Sequence, residues 1–243
     1  TGTLENFIGY ALEPSEVLHG KLNFNAKILN LNPFLTATDT SVTDAAVDTA
    51  VLEIIRIPIN IDVALNTQIG RLLYDNLEFN DMEGKITMSE GIAQLDNLDF
   101  NLLAGGFLMS GFYNSNPPLP LFNFNFKISS MSIKETFSSF NTIQEMAPMA
   151  KDLAGVFSTE FVTDGVLDTA MMPVMESLFT FGLIDLESTT YSNPKFIKGL
   201  NKITGDKEET LKLQDINFEY TIEDGTLIIE PFDFKLAGRT TTV

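Results

Sequence analysis

Alternation of apolar and polar residues is the commonest pattern along this chain. In the segment FNFNFKI, Phe122, Phe124 and Phe126 occupy every second position, with Asn residues between them. The same period of two recurs in three other segments, residues 57–65, 216–222 and 232–236. A period of two places alternate side chains on one face of a strand. Because each segment has one polar and one apolar face, we predict antiparallel strands with one solvated face.

The apolar spacing changes to steps of three and four residues after Met131, which predicts helix. We predict four helices, at about residues 66–73, 132–154, 170–181 and 193–203. Pro148 lacks an amide donor and should interrupt the second of these. Asn193 and Pro194 supply an N-cap and a first-turn proline to the last. Residues 132–204 are therefore interpreted as a helical insertion.

Internal repeats organise the chain. Residues 77–106 align with residues 211–239 at an offset of 134 (211 − 77), with one residue dropped near Leu103. The copies share the turns Ser89-Glu90-Gly91 and Glu223-Asp224-Gly225, which are acidic-glycine hairpin signals. A shorter repeat relates residues 22–32 to residues 122–132. This second repeat predicts that Leu22, Phe24 and Ile28 face the same apolar volume as Phe122, Phe124 and Phe126.

These patterns predict an α+β fold. A long, strongly twisted antiparallel β-sheet would carry both copies of the repeat, and helices would pack on its apolar face. Residues 1–243 are interpreted as a single domain or as a fragment of a longer protein. Thr1 is not a usual native start and the last residues are strand-like, so we expect a piece of a longer chain.

Composition narrows the possible functions. The 33 acidic and 15 basic residues give a net charge of −18, which argues against nucleic-acid binding and against a basic membrane-docking face. There is no cysteine, and His19 is the one histidine, so a transition-metal site is not expected. No segment resembles a nucleophile elbow, a phosphate-binding loop or a calcium loop. We therefore expect neither enzymatic activity nor a cofactor.

The apolar strand faces are the remaining candidates for function. The chain has 20 phenylalanines and no tryptophan. These faces either pack against helices as ordinary core or stay partly open and line a groove for an apolar ligand. The candidate floor of such a groove consists of Phe24, Phe100, Phe122, Phe124, Phe126, Phe218 and Phe234.

A family resemblance adds to this interpretation. The segments IPINIDVALNTQIGRLLYDNLEFNDMEG, KITMSEGIAQLDNLDFNLLAGGFLMSGFYN and YSNPKFIKGLNKITG resemble the C-terminal region of large AsmA-family proteins of the Bacteroidetes type. The similarity extends over nearly all of the chain from about residue 22. Its most specific part is the succession of strand, acidic-glycine turn, strand, Leu-x-Phe strand and Gly-Gly.

The resemblance implies a non-enzymatic periplasmic protein, anchored in the inner membrane by an N-terminal helix that is not in this chain. It implies a role in outer-membrane biogenesis and lipid homeostasis. It also implies a groove or half-pipe of repeated β units, similar to bridge-like lipid-transfer proteins, with lipid or phospholipid acyl chains as ligands and envelope proteins as possible partners. The alternative is a structural scaffold or protein-docking domain with a sealed core, whose open sheet edges recruit partners by strand addition.

Overall fold

A computed structural model gives the fold for most of the chain. It describes residues 1–13, 15–35, 54–140, 143–144, 147–205, 207, 209–213, 216–236 and 239–242. The strands are β1 (Gly2–Glu5), β2 (Leu18–Ala26), β3 (Leu29–Asn30), β4 (Ile61–Tyr74), β5 (Leu77–Ser89), β6 (Ile92–Leu102), β7 (Gly105–Asn114), β8 (Leu121–Ser132), β9 (Leu153–Val166), β10 (Phe179–Tyr191), β11 (Leu211–Leu213), β12 (Ile216–Glu223), β13 (Thr226–Ile229), β14 (Asp233–Leu236) and β15 (Arg239–Thr242).

The helices are few and short in the described part of the chain. They are α1 (Phe7–Leu12), α2 (Asn32–Leu35), α3 (Ile133–Ser139) and α4 (Pro194–Thr204), with single 3-10 turns at Pro148–Asp152 and Met175–Ser177. The protein is therefore mostly β-structure.

One large sheet dominates the described residues. Its main path runs β1-β2-β4-β5-β6-β7-β8-β9-β10-β12-β13, while β3 pairs with β4 and β11 pairs with β10, which makes a sheet of 13 strands. Strands β14 and β15 pair only with each other within this part of the chain. The prediction of one long sheet built from consecutive strands is confirmed.

The sheet is mixed, so the prediction of a purely antiparallel sheet is wrong at one place. Strand β2 runs parallel to β4, with Leu18 opposite Ile61 and Ala26 opposite Ile69, and the short β3 is also parallel to β4. From β4 to β13 every pairing is antiparallel. A parallel pair needs a long crossover, and the 34 residues between Ala26 and Ile61 are enough for one. Alternation alone does not specify strand direction.

The predicted helical insertion at 132–204 is also wrong in large part. Strands β9 and β10 fill much of this interval, and the predicted helix at 170–181 is a 3-10 turn followed by the start of β10. Residues 66–73 likewise belong to the long strand β4. In both places the pairing with neighbouring strands outweighs a local spacing that also fits a helix.

The capping residues of α4 predicted its start more reliably than the apolar spacing predicted helices elsewhere. Helix α4 begins where predicted, because the side chain of Asn193 accepts hydrogen bonds from the amides of Lys195 and Phe196. It ends at Gly205, which adopts the left-handed conformation that favours glycine (φ 81°). Pro148 opens a separate 3-10 turn, but α3 already ends at Ser139, before the proline.

The two copies of the long repeat form matching hairpins. Ser89 lies opposite Ile92 across the first turn, and Glu223 lies opposite Thr226 across the second. Both central residues of each turn have positive φ, 49° and 77° at Glu90-Gly91 and 50° and 69° at Asp224-Gly225. This is the type I′ geometry that an acidic-glycine pair predicts.

The copies diverge after the hairpin. In the first copy β6 continues through a bulge at Asn97 and stays in the large sheet. Pro231 occupies the equivalent position in the second copy (97 + 134 = 231), and there β13 ends at Ile229 and β14 pairs with β15 instead. A proline cannot donate a ladder hydrogen bond, which accounts for the break. Leu236 pairs with Arg239 as Leu102 pairs with Gly105, so no residue is dropped between the copies.

Candidate functional site

The candidate phenylalanines can be placed by following the strand register across the sheet. Directly opposed residues of neighbouring strands lie on the same face. One such row contains Phe100, Phe107, Ile128, Thr159, Ile184 and Phe218, on β6, β7, β8, β9, β10 and β12. We call the side of the sheet that carries this row the apolar face, and the other side the opposite face.

A second row tests the phase of the shorter repeat. It contains Leu22, Leu65, Ile86, Leu95, Gly111 and Phe124. Leu22 and Phe24 therefore share the apolar face with Phe122, Phe124 and Phe126, as the repeat predicted. They lie five strands away from these phenylalanines on the same long surface. Ile28 lies beyond the end of β2, so the strand register does not extend to it.

Aromatic rings form continuous contacts over the middle of this face. The ring centroids of Phe122 and Phe124 are 5.8 Å apart, those of Phe124 and Phe126 are 6.0 Å apart, and those of Phe126 and Phe161 are 4.9 Å apart. A second group joins Phe79, Phe100 and Phe107 at 5.4 Å and 5.1 Å. Phe126 and Phe161 pack against the buried cluster that contains Phe100 and Phe107, so the two groups are contiguous.

Glycines on neighbouring strands explain why three aromatics follow one another on β8. Phe122 lies directly opposite Gly165, and Phe124 lies directly opposite Gly111. A Cβ atom on Gly111 would be 2.7 Å from Cδ1 of Phe124, and one on Gly165 would be 3.4 Å from Cε1 of Phe122. The rings thus cover backbone that has no side chain of its own, which is a recognised way to stabilise a glycine within a sheet.

Burial varies along the apolar face. Phe100 and Phe122 expose only 5% and 7% of their surface, and the neighbouring Phe124 and Phe126 are half-buried. Near the β1 edge Phe24 is 38% exposed. Phe218 is half-buried and stacks on Phe232 at 4.9 Å. Phe234 lies in β14, and its side chain is outside the described part of the structure.

Only a small part of the helical structure lies over this face. Helix α3 follows β8 directly, its Ile133 and Thr136 are buried, and Phe140 at its end packs against the cluster around Phe100. Helix α4 contacts the sheet region through Phe196, whose ring is 5.5 Å from that of Tyr191. The prediction that helices between residues 132 and 204 pack on the apolar face is therefore not confirmed for most of this interval within the described residues.

The register also reveals a feature that the sequence analysis missed. Phe179, Phe181 and Leu183 alternate along β10 on the opposite face, and all three are exposed. Their period of two was visible in the sequence FTFGL, but the apolar spacing of the preceding residues led to a helix prediction over 170–181. The signal was therefore present in the first residues of β10.

A polar depression occupies the other end of the opposite face. It has a volume of about 790 Å³ and is lined mainly by amides and carboxylates, namely Asn23, Asn25, Asn66, Gln68, Glu83, Asn97 and Asp99. Asn66 donates a hydrogen bond to Asn23 at 3.0 Å, which links β4 to β2. The depression is lined by polar side chains, whereas the apolar face carries mainly aromatic and aliphatic ones. The two sides of the sheet therefore differ in chemistry.

Two tyrosines have raised pKa values. Burial raises the pKa of the Tyr113 phenol above its ordinary value of 10.0, and the Arg56 guanidinium lowers it by less. The Tyr113 hydroxyl donates a hydrogen bond of 2.7 Å to the carbonyl of Ile55. Burial also raises the pKa of Tyr220, whose ring closes over Gly182 from the neighbouring strand. Both phenols are therefore neutral at physiological pH.

The described residues contain no group of three metal-ligating side chains and no helix that is long and apolar enough to span a membrane. Comparisons with protein-family models, curated proteins and solved structures find no match to this chain. The AsmA resemblance therefore stays a prediction.

Proposed function

We propose that the apolar face of this sheet binds lipid acyl chains in a non-enzymatic, AsmA-like protein. The observation that carries the proposal is the continuity of the face. Its candidate aromatics share one side of the sheet from Phe24 on β2 to Phe218 on β12. They are exposed at Phe24, buried at Phe100 and Phe122, and half-buried at Phe218. An elongated apolar surface that is open at one end suits an elongated apolar ligand.

The binding would be driven by burial of hydrocarbon. Each methylene buried contributes about 0.8 kcal/mol, so a chain of roughly ten methylenes would gain on the order of 8 kcal/mol before the costs of association. Among the described residues of β1 and β2, those that share this face, including Leu4, Leu18, Leu22 and Phe24, are uncharged, so discrimination between head groups is expected to be weak. Bulges within β5, β6, β8 and β10 bend those strands and increase twist, which favours the half-pipe shape.

The wider biological setting rests on the AsmA resemblance. It favours a periplasmic location, an inner-membrane anchor supplied by another part of a longer protein, and a role in lipid homeostasis and outer-membrane biogenesis. Acyl chains would then enter at the half-exposed end around Phe24 and lie along the face towards β8. Envelope proteins would be the partners that bring lipid to this end.

The burial of the central aromatics favours the scaffold alternative. Phe100 and Phe122 are almost inaccessible, and the packing of Phe122 and Phe124 against glycine backbone is what a sealed core requires. Within the described residues β13 (Thr226–Ile229) pairs with β12 alone, and under this alternative its other edge would be the site of strand addition. In this case the aromatics stabilise the fold and bind no ligand.

Lipid analysis of matched variants separates the two functions. The chain is purified without detergent and co-purifying lipid is identified by mass spectrometry, for the unaltered protein, Phe24→Arg and Phe181→Arg. Both substituted residues are exposed, but they lie on different faces. Loss of lipid in Phe24→Arg alone supports acyl binding on the apolar face. Absence of lipid from all three proteins, also after incubation with phospholipid, supports the scaffold.

A further inference from the structure

The first residues of strand β10 have their small side chains on the apolar face and their large apolar side chains on the opposite face. Its positions on the apolar face include Thr180 and Gly182, and rings of Phe161 and Tyr220 from the flanking strands close over the glycine. A Cβ atom on Gly182 would be 2.6 Å from Cβ of Phe161 and 2.8 Å from the Tyr220 ring. The apolar face has no room for a larger side chain at Gly182, and the neighbouring large side chains Phe179, Phe181 and Leu183 are on the opposite face.

These side chains form an exposed apolar strip. Phe179, Phe181 and Leu183 lie on β10, and Val162 of β9 is directly opposite Phe181. Each of the four exposes between 40% and 48% of its surface. Alternate residues of a strand are about 7 Å apart, so the three β10 side chains form a row about 14 Å long. Large apolar side chains in a contiguous exposed group indicate an interaction surface.

Carboxylates border the strip on both sides. Asp164 lies opposite Phe179, and Glu160 and Glu219 lie on either side of Leu183. Glu223 is on β12, two residues beyond Thr221, which pairs with Phe181. Lys127 neutralises Glu160 through an ion pair. Among pairs of described residues, no ion pair involves Asp164, Glu219 or Glu223.

We infer that this strip, consisting of Val162, Phe179, Phe181 and Leu183, docks a basic amphipathic segment of a partner protein. Apolar side chains of the partner would cover the row, and its Lys or Arg residues would reach the carboxylates on both borders. The inference concerns the opposite face and does not depend on the proposed lipid binding.

Charge distinguishes this partner from two other occupants. A second copy of the chain would place the same carboxylates against each other, and its net charge of −18 adds further repulsion. An anionic membrane would meet the same carboxylates as the strip approached its surface. Only a partner with positive charge beside its apolar side chains makes favourable contacts with both the apolar strip and the carboxylates that border it.

Binding of a synthetic amphipathic peptide composed of leucine and lysine tests the inference, with a leucine-glutamate peptide of the same pattern as the comparison. Affinity is measured by fluorescence anisotropy of labelled peptide against the whole chain. We expect the lysine peptide to bind and the glutamate peptide not to bind. Phe181→Thr should weaken binding roughly tenfold, and Glu219→Gln combined with Glu223→Gln should weaken it several-fold and reduce its salt dependence.

Leu108→Thr is the matched control. Leu108 is exposed on the same face, but it lies on β7 outside the strip. It should bind the lysine peptide like the unaltered protein, and circular dichroism should show that all variants are folded. Equal affinity of Phe181→Thr and the unaltered protein would overturn the inference. So would equal binding of the two peptides, or Phe181-dependent binding to vesicles of anionic phospholipid in place of the lysine peptide.

Discussion

The ring of Phe124 lies against the backbone of Gly111, its direct partner on the neighbouring strand. A Cβ atom at Gly111 would be 2.1 Å from the carbonyl oxygen of Asn123 and 2.7 Å from Phe124 Cδ1, and the φ of Gly111 is 145°. Both the space and the backbone conformation therefore require glycine. This contact joins the aromatic row of β8 to the rest of the apolar face.

Gly111→Ala should destabilise the protein by about 2 kcal/mol or more, because the new methyl group displaces the Phe124 ring and strains the backbone. Urea denaturation measures the change in free energy of unfolding. Gly106→Ala on the same strand is the control, since a Cβ atom there meets only Asn101 Oδ1, at 3.9 Å. Similar destabilisation by the two variants would show that the Phe124 contact is not the cause.

Arginine at two positions of the apolar face should have different effects. Phe100→Arg buries an unpaired charge in the central cluster and should lower the free energy of unfolding by several kcal/mol, with a clear fall in melting temperature. Phe24→Arg leaves its charge in water and should melt within a few degrees of the unaltered protein while losing lipid. Thermal melting and lipid analysis of the same samples give both results. Loss of folding at Phe24 as well would favour the sealed scaffold.

A hydrogen bond between buried threonines joins β9 to β10. The hydroxyl oxygens of Thr163 and Thr180 are 2.8 Å apart, and the two residues are directly opposed. Valine at one position leaves the other hydroxyl without this partner and should cost about 1–3 kcal/mol. The double variant should cost less than the sum of the two, which a double-mutant cycle from urea denaturation measures. Strict additivity would mean that the bond contributes no coupling energy.

Stability should fall at alkaline pH. Burial raises the pKa values of Tyr113 and Tyr220 in the folded state, so the unfolded chain loses these protons first as pH rises above about 10. The contribution of each phenol is present below that pH and is lost as pH rises towards the folded-state pKa. Tyr220→Phe should reduce the dependence of the free energy of unfolding on pH in this range. An unchanged slope in this variant would contradict the assignment.

The sequence predicted which face of a strand each side chain lies on better than it predicted which strands pair with each other. The period of two at Phe122, Phe124 and Phe126, and the phase shared with Leu22 and Phe24, placed all five residues on one face because side-chain direction is local to a strand. The hairpins at Gly91 and Gly225 were predictable for the same reason, since their turns require only nearby residues.

Properties that depend on distant pairing were not predictable in this way. Nothing local in β2 specifies that it runs parallel to β4, and the apolar spacing before Phe179 fits a helix until β9 and β12 are known to flank β10. The close packing at Gly182, beside the exposed strip, involves Phe161 and Tyr220 from other strands, so it could not be predicted from β10 alone. The sequence predicted which face the candidate floor residues of the regular strands lie on, but it did not predict how deeply each of them is buried.

Fluorescence of single tryptophans tests acyl binding on the apolar face most directly, because the chain has no tryptophan of its own. Phe24→Trp places the reporter at the open end of this face, and Phe181→Trp places it on the opposite face. Each protein is titrated with a fatty acid brominated along its chain, which quenches indole fluorescence only on close contact. We predict saturable quenching in Phe24→Trp and none in Phe181→Trp. Equal quenching of the two, or quenching of Phe181→Trp alone, would contradict the account.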